Sequence, residues 1–133
     1  MTTDCVVDAS ALVIALVGRS GEADALRAQL PSLRLHAPHL IDAEVGNVLR
    51  RHELAGLIST TEADAARIGG RWLVAHRYPH IGALADGAWE LRQNLTFYDA
   101  LYVALASSLG IPFITADTRL AHAPGFPCEI ELV

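Results

Sequence analysis

The sequence predicts an α/β fold with a parallel sheet covered by helices on both faces, on three observations. Two short apolar runs, CVVD at 5–8 and FITA at 113–116, have the length and composition of strands buried on both sides. Helical segments separate these runs, and strands that alternate with helices are typical of βαβ units. The chain of 133 residues contains no linker or repeat, which favours a single domain over 1–133.

The first half of the chain adds a weaker strand and three helices to this plan. The predicted elements are a strand over 5–8, a helix from Asp8 to about Val17, a helix over 22–30, a strand over 33–37 and a long helix over 38–54. Pro38 suits the first turn of the long helix, because its fixed φ is already helical. Gly56 is the expected stop of that helix.

The second half begins with a capping box, Ser59 to Glu62, that opens a helix. The predicted elements are this helix to about His76, an irregular segment or short strand over 77–82, a helix over 83–94, a helix over 97–109, the strand over 113–116, a short helical turn over 117–122 and a final strand over 128–133. Gly110 is the expected stop of the helix over 97–109.

The composition limits the partners that the chain can attract. Ten arginines stand against fifteen acidic residues, there is no lysine, and the net charge is −5. An acidic protein attracts nucleic acid weakly, so RNA binding would require a local arginine patch or a cation held among the acids. No apolar run has the ~18–20 residues of a membrane span, and the first residues lack the basic region of a signal peptide. We therefore expect a cytoplasmic protein, with Cys5 and Cys128 as buried thiols.

Two aspartates directly follow the two apolar strands. Asp8 ends CVVD, and Asp117 follows FITA. The carboxyl ends of parallel strands meet at the edge of the sheet where ligands bind, so both carboxylates are expected at the same edge. Aspartate is also a favoured helix N-cap, and that role alone accounts for either residue taken singly.

A third carboxylate, Glu44, lies inside the predicted long helix, in the phrase IDAEVGNVLRR. It flanks an apolar stripe at helical spacing, and Asn47 follows it by about one turn on the same side. The neighbouring Asp42 points elsewhere and is expected in solvent. Glu44 is therefore the acid of this helix that is expected to face the core side.

The fourth carboxylate, Asp99, begins a helical face that continues with the core-like residues Tyr102, Val103 and Ala106. Thr96 and Asp99 fit a capping box loosely, but an aspartate reaches back to the helix start less well than a glutamate. A buried carboxylate without a partner would cost several kcal/mol. A cation would remove that cost.

Taken together, these four acids are hard oxygen donors of the kind that bind Mg²⁺ or Mn²⁺. Without a counter-ion they would repel one another and raise one another's pKa values. The chemistry that suits such a site is phosphodiester hydrolysis, in which the metal neutralises phosphate charge and activates water.

Four motifs in order, VVDASALV, IDAEVGNVLRR, FYDALYVALA and ITADTRL, resemble those of the PIN-domain ribonucleases, and more narrowly the VapC toxins of bacterial toxin–antitoxin pairs. The resemblance covers residues 4–121. It implies a three-layer α/β/α fold with a mainly parallel sheet and a Mg²⁺- or Mn²⁺-dependent endoribonuclease, usually a homodimer. Structured RNA such as tRNA or rRNA is the implied substrate, and a VapB-type antitoxin is the implied partner.

The resemblance also assigns residues. The acidic quartet of the family, which would bind the metal and carry catalysis, falls on Asp8, Glu44, Asp99 and Asp117. A supporting hydroxyl falls on Ser10, the threonine of the last motif falls on Thr115, and a supporting polar position falls on Asn47. The stretch 60–92 matches no motif, so the resemblance does not indicate where an antitoxin docks.

Two other classes of function compete with this one. Phosphoaspartate enzymes also place an aspartate after the first strand, but they need a lysine near the phosphoryl group, and this chain has none. A binding module without catalytic activity, whose acids are only helix caps, is the remaining alternative. Metal binding distinguishes the two, because caps need no metal.

The remaining polar and aromatic residues give weaker indications. Pro79 breaks the helical face that His76 and His80 would need to bind a metal, and His36 and His39 are expected in a loop. Arg50 and Arg51 follow Glu44 on its helix, and Arg119 lies two residues after Asp117, so each could contact a phosphate; a solvated surface charge is the alternative for all three. Arg119 is the arginine expected nearest to RNA. Trp72 and Trp89 have helical spacing that favours the core or a partner contact over stacking on bases.

Overall fold

A computed structural model of the chain describes residues 1–123 and 125–133, and its centre is a five-stranded sheet in which every pairing is parallel. The strands are β1 (Thr3–Val7), β2 (Leu33–Pro38), β3 (Val74–Tyr78), β4 (Phe113–Thr115) and β5 (Ile130–Leu132). The helices are α1 (Ala9–Val17), α2 (Gly21–Gln29), α3 (Leu40–Leu54), α4 (Thr60–Leu73), α5 (Ala83–Trp89), α6 (Phe97–Leu109) and α7 (Thr118–Ala121), with a 3₁₀ turn at Leu30–Ser32. The predicted α/β class is confirmed.

The strand order β3-β2-β1-β4-β5 determines which helices cover which face. The chain moves outward from β1 to β3, returns to β4 on the other side of β1, and ends at β5. Crossovers between parallel strands have one hand, so reversing the direction of travel moves the helices to the opposite face. In agreement, α1, α3 and α4 pack together, while α5 packs on α6 and α6 covers β1 and β2. The result is three layers with the sheet in the middle.

The helix α6 is buried on all sides over seven successive residues, 100–106. A helix that is apolar all round lies between two other elements, and α6 lies between the sheet and α5. Its Tyr102 ring stacks parallel to the ring of Phe113 on β4, with centroids 6.1 Å apart. Gly110 ends the helix in the left-handed conformation, at φ 65°, which a side chain would disfavour.

The strand β1 runs through the middle of the core, as its apolar composition predicts. Cys5, Val6 and Val7 are at most 3% exposed. Both cysteines are free thiols, and Cys5 is buried while Cys128 is half-buried. Among the described residues, none of the helices combines the length and the apolar character needed to cross a bilayer.

The prediction that the fourth helix continues to His76 is wrong. α4 ends at Leu73, and Val74–Tyr78 forms the edge strand β3 beside β2. The pairing with β2 decides the outcome, because it buries Val74 to 3% exposure. Arg77 fixes the strand further, since its guanidinium donates two hydrogen bonds to the Asp42 carboxylate at 2.6 and 2.9 Å. Asp42, which was expected in solvent, is half-exposed and forms an ion pair with Arg77.

Two helix boundaries also differ from the prediction. Pro38 is the last residue of β2 rather than the first turn of α3, because the chain stays extended until the His39 N–H donates to the Tyr78 carbonyl at 2.8 Å. The helix predicted over 83–94 ends at Trp89. After Trp89, the backbone N–H and one guanidinium N–H of Arg92 both donate to the Trp89 carbonyl. These hydrogen bonds form a tight turn, so the α-helix does not continue.

Candidate active site

The candidate active site lies at the point of the sheet where the order of the strands reverses, between β1 and β4. β1 and β4 are neighbours, yet the connections leading out from them run to opposite halves of the sheet. A crevice forms beyond the carboxyl ends of two such strands. Asp8 follows β1 and Asp117 follows the end of β4, so both stand at this crevice.

The other two predicted acids reach the same crevice from helices. Glu44 comes from α3 and Asp99 from α6, and all four carboxylates line one cavity of about 240 Å³. Asn47 and Ser10 line it as well. The structure thus brings together the four acids that the sequence analysis selected from separate segments.

Asp8 is the most firmly held of the four acids. One carboxylate oxygen accepts from the Ser10 hydroxyl at 2.6 Å and from the Ala11 N–H at 3.0 Å, and the other accepts from the Thr115 hydroxyl at 2.5 Å. The side chain is buried, and this burial raises the pKa of Asp8 above its usual value, although the three hydrogen bonds oppose the rise. Asp8 therefore has a fixed position and a charge that lacks solvation.

Ser10 and Thr115 connect the two strands on either side of the crevice. The Ser10 hydroxyl accepts from the Ala116 N–H, and the Thr115 hydroxyl accepts from the Asp117 N–H, both at 3.0 Å. Thr115 is fully buried. Each hydroxyl thus donates to Asp8 while it positions the backbone that leads to Asp117. Ser10 and Thr115 are thus in contact with Asp8, and their supporting role in catalysis stays a prediction.

Glu44 is oriented by a residue that the sequence analysis placed in the core. The Tyr102 hydroxyl donates to one Glu44 carboxylate oxygen at 2.5 Å. Burial raises the pKa of Glu44, the Tyr102 hydrogen bond opposes that rise, and the nearby charges of Asp99 and Asp8 add to it. The short hydrogen bond fixes the direction in which the other Glu44 oxygen points.

Asp99 and Asp117 form the more open side of the crevice and share an arginine. The Arg119 guanidinium lies 3.2 Å from Asp117 and 3.5 Å from Asp99, and it is 75% exposed. Burial raises the pKa of Asp99, with the Thr96 hydroxyl and Arg119 opposing the rise. Burial acts in the same direction on Asp117, but hydrogen bonds from the Leu120 N–H and Arg119 outweigh it and lower the pKa of Asp117.

Helix capping accounts for part of this arrangement but not for all of it. Asp8 and Asp117 are the N-caps of α1 and α7, with side chains that accept from the Ala11 and Leu120 N–H groups. Thr96 caps α6 as predicted. Glu44, however, lies in the interior of α3, where it caps nothing. Helix capping therefore does not explain why Glu44 and Asp99 lie beside the two capping residues, Asp8 and Asp117.

The donor set fits a hard divalent cation. All four side chains offer carboxylate oxygens, which Mg²⁺ and Mn²⁺ prefer, and three of them have pKa values raised by burial. Over residues 1–123 and 125–133, no three His, Cys, Asp or Glu side chains are already close enough to hold a metal ion. Tyr102 donates a hydrogen bond to Glu44, and Arg119 donates to Asp99 and Asp117, so these carboxylates point toward their donors. Repulsion between the negative charges also keeps the four carboxylates apart.

Two further polar side chains, Tyr102 and Arg51, line the cavity, and each shares a helical face with an acid of the site. Tyr102 follows Asp99 by three positions and was predicted only as a core residue. Arg51 follows Glu44 by seven positions, was predicted as either a phosphate contact or a solvated charge, and is exposed at the rim. Their spacing from Asp99 and Glu44 along the helices was the signal that could have placed both at the site.

The structure corrects the loop predicted for His36 and the core position predicted as one of two alternatives for the tryptophans. His36 lies in β2, not in a loop, and is buried between the Asp4 carboxylate and the Tyr78 hydroxyl, at 2.8 Å from each. Its ring stacks on that of His76. Neither tryptophan belongs to the core, because Trp72 is 81% exposed and Trp89 is 56% exposed.

Comparisons with known proteins agree on one group. The PIN-domain family matches residues 5–125. Ribonuclease VapC1 of Mycobacterium tuberculosis (strain ATCC 25618 / H37Rv) is 53% identical over 130 residues, which make up 98% of each chain. The crystal structure of VapBC2 from Rickettsia felis, bound to a DNA fragment from the promoter, matches with a TM-score of 0.67 at 11% identity, over 98% of this chain and 99% of that one. The structure of VapBC-5, a toxin–antitoxin system of Mycobacterium tuberculosis, matches with a TM-score of 0.61 at 24% identity and the same coverage.

Proposed function

Because this chain belongs to the PIN-domain family and, within it, to the VapC ribonucleases, we propose that it is a metal-dependent endoribonuclease and the toxin of a toxin–antitoxin pair. The observation that carries the proposal is the convergence of Asp8, Glu44, Asp99 and Asp117 on one crevice at the switch point of the sheet. These acids come from four separate segments, and capping explains only two of them.

The four carboxylates would hold Mg²⁺, or Mn²⁺ in its place. A bound divalent cation supplies charge neutralisation at the phosphate and activation of water. The chain's own contribution is a set of oxygens in fixed positions. Asp8 is held by Ser10 and Thr115, and Glu44 is held by Tyr102. Such preorganisation lowers the reorganisation needed when negative charge develops.

Burial makes cation binding by these acids favourable. Desolvation raises the pKa values of Asp8, Glu44 and Asp99, which means that their charged forms lack solvation in the metal-free protein. A cation would restore the lost charge compensation. The net charge of −5 does not attract RNA, so a local positive charge is needed. Arg51 and Arg119 supply it at the rim of the site, where the phosphate backbone would approach.

The substrate and partners in this proposal follow the family. The substrate is structured RNA such as tRNA or rRNA, cleaved in the cytoplasm, and Asn47 and Ser10 support the site from the cavity wall. The partner is a VapB-type antitoxin, in keeping with the two similar structures, which are named as VapBC systems. The chain acts as a homodimer and consists of one domain.

The test is cleavage of total cellular RNA by the purified protein with Mg²⁺, with Mn²⁺ and with EDTA. Asp8→Asn and Asp99→Asn should abolish cleavage and weaken Mn²⁺ binding measured by calorimetry, with circular dichroism unchanged. Asp64→Asn is the matched control, because Asp64 is an exposed acid on α4 that pairs with Arg67 away from the crevice. This variant should cleave like the wild type.

Full activity of Asp99→Asn would overturn the site assignment. Absence of both cleavage and metal binding in the wild type would return the acids to the role of helix caps. Metal binding without cleavage would keep the metal site and overturn the choice of RNA.

A further inference from the structure

A second cavity adjoins the candidate active site and shares Asp99 with it. Its volume is about 360 Å³, and its wall runs from the turn that follows α5 to the start of α7. Two arginines line it, Arg92 from the turn and Arg119 from α7. Cavities that hold a small ligand begin at roughly 300 Å³, so the space suits one nucleotide. A ligand bound there would contact Asp99, which also lines the cavity of the four acids.

An exposed aromatic platform is joined to this second cavity through Arg92, which lines the cavity and covers the Trp89 ring. Trp89 is 56% exposed, and the Arg92 guanidinium lies 4.7 Å from the centre of its ring. Phe97 meets the same ring edge-on, with centroids 6.3 Å apart. Arg92 and Phe97 thus both contact the Trp89 ring, which remains more than half exposed. Rigid aromatic rings paired with arginine are the surface on which unpaired bases stack.

The charge beside the platform also favours a nucleotide. Arg92 uses one N–H to hold the Trp89 carbonyl at 2.8 Å, and a guanidinium has five N–H donors. Because Arg92 forms part of the cavity wall, its other donors are available to a phosphate bound in the cavity. A nucleotide offers both a π-face and a phosphate, and the cavity offers a partner for each.

On the basis of the proposed nuclease function, we propose that this cavity binds an unpaired nucleotide next to the cleaved phosphate. The base stacks on the Trp89–Arg92 pair, and the sugar–phosphate backbone runs past Arg92 and Arg119 to the acids. Bases within an A-form duplex are stacked on each other and cannot reach the platform. The cavity therefore selects a single-stranded position in the RNA.

Tryptophan fluorescence tests this placement without relying on cleavage. The chain has two tryptophans, so Trp72→Phe leaves only Trp89 and Trp89→Phe leaves only Trp72. Both are made in the Asp8→Asn background with Mg²⁺, where the RNA should stay intact. A short single-stranded RNA of mixed sequence should quench the protein that retains Trp89, because a stacked base quenches indole. The same strand annealed to its complement should not, and the protein that retains Trp72 should not respond.

Kinetics on the same oligonucleotide give a second readout. Trp89→Leu should raise KM by roughly 5- to 150-fold with kcat unchanged, because a stacked base contributes to substrate and transition state alike. Arg92→Gln should reduce the slope of log affinity against log salt by about 0.7, the loss expected for one single-strand phosphate contact. Trp72→Leu and Arg71→Gln, both exposed on α4, are the matched controls and should match the wild type.

Each outcome decides one of the two proposals. RNA binding detected by anisotropy without quenching of Trp89 would overturn the nucleotide site and leave the nuclease intact. Quenching of Trp89 without cleavage by the wild type would keep the nucleotide site and overturn the nuclease. A change of sedimentation coefficient in Trp89→Leu with unchanged RNA affinity would assign the platform to a second copy of the chain, and would overturn the nucleotide site.

Discussion

Replacing Thr115 by valine removes the hydroxyl that links the two sides of the candidate active site. Valine has nearly the same shape, so the change opens no cavity. It removes the hydrogen bond to Asp8 at 2.5 Å and the acceptor of the Asp117 N–H at 3.0 Å. Thr115 is fully buried, and water cannot take the place of its hydroxyl beside Asp8.

The expected loss of stability can be worked from these two contacts. A hydrogen bond to a charged group contributes about 1.5–3 kcal/mol, and the Asp117 N–H adds roughly 0.5–1 kcal/mol because it is partly accessible to water. Together they give about 2–4 kcal/mol, a large share of the roughly 5–15 kcal/mol by which a domain is stable. The midpoint of urea unfolding should fall by roughly 1–2 M at an unchanged m value. Cleavage should fall with it, because Asp8 loses its anchor.

Thr118→Val is the control for the Thr115 substitution. Thr118 is the exposed first residue of α7, and its substitution should change the free energy of unfolding by less than about 0.5 kcal/mol. A loss below about 1 kcal/mol for Thr115→Val would refute the reasoning. The hydroxyl would then be a passive filler of the core, and Asp8 would owe its position to α1 alone.

Two further predictions concern the charges of the site. In EDTA, the free energy of unfolding should fall as pH rises above about 4, because the raised pKa values of Asp8, Glu44 and Asp99 mean that the folded state binds more protons than the unfolded one. Mg²⁺ should reverse this fall, and Asp99→Asn should reduce it, as measured by urea titrations between about pH 4 and pH 8. A wild-type stability that rises over this range in EDTA would contradict the sign, and an equal slope in the variant would contradict the contribution of Asp99. Tyr102→Phe should raise the pKa of Glu44 further and weaken Mn²⁺ binding in calorimetry, most strongly at low pH, whereas Tyr98→Phe, on an exposed ring, should bind like the wild type.

The sequence predicted the parts of the fold that depend on local patterns. β1 and β4 are continuous apolar runs, and α6 is an apolar helix with a clear cap and stop, so each is visible within about ten residues. β3 was not visible in this way. Its residues continue a helical pattern, and only the hydrogen bonds to β2 make them a strand. Pairing over a long sequence separation overrides propensity here, as it often does.

The candidate site shows the same division between local and tertiary information. Asp8 and Asp117 were found because each follows a strand, Glu44 because it flanks an apolar stripe, and Asp99 because it begins an apolar helical face. Tyr102 was read as a core residue, which its ring is, since it stacks on Phe113. Its hydroxyl acts at the site only because α3 and α6 meet beyond the sheet. The catalytic roles of the acids stay predictions until the variants are measured.

The hydrogen bonds between Asp8 and Thr115 join residues that are separated by almost the whole of the chain. β1 is made first, but it lacks its neighbour β4 until residues 113–115 have been synthesised. During translation, the N-terminal acid therefore has no counterpart and no crevice. A chain that ends before residue 115 therefore holds Asp8 without the Thr115 hydroxyl and without Asp117. The order of the strands thus makes the candidate site a property of the nearly whole fold, and no shorter N-terminal fragment contains it.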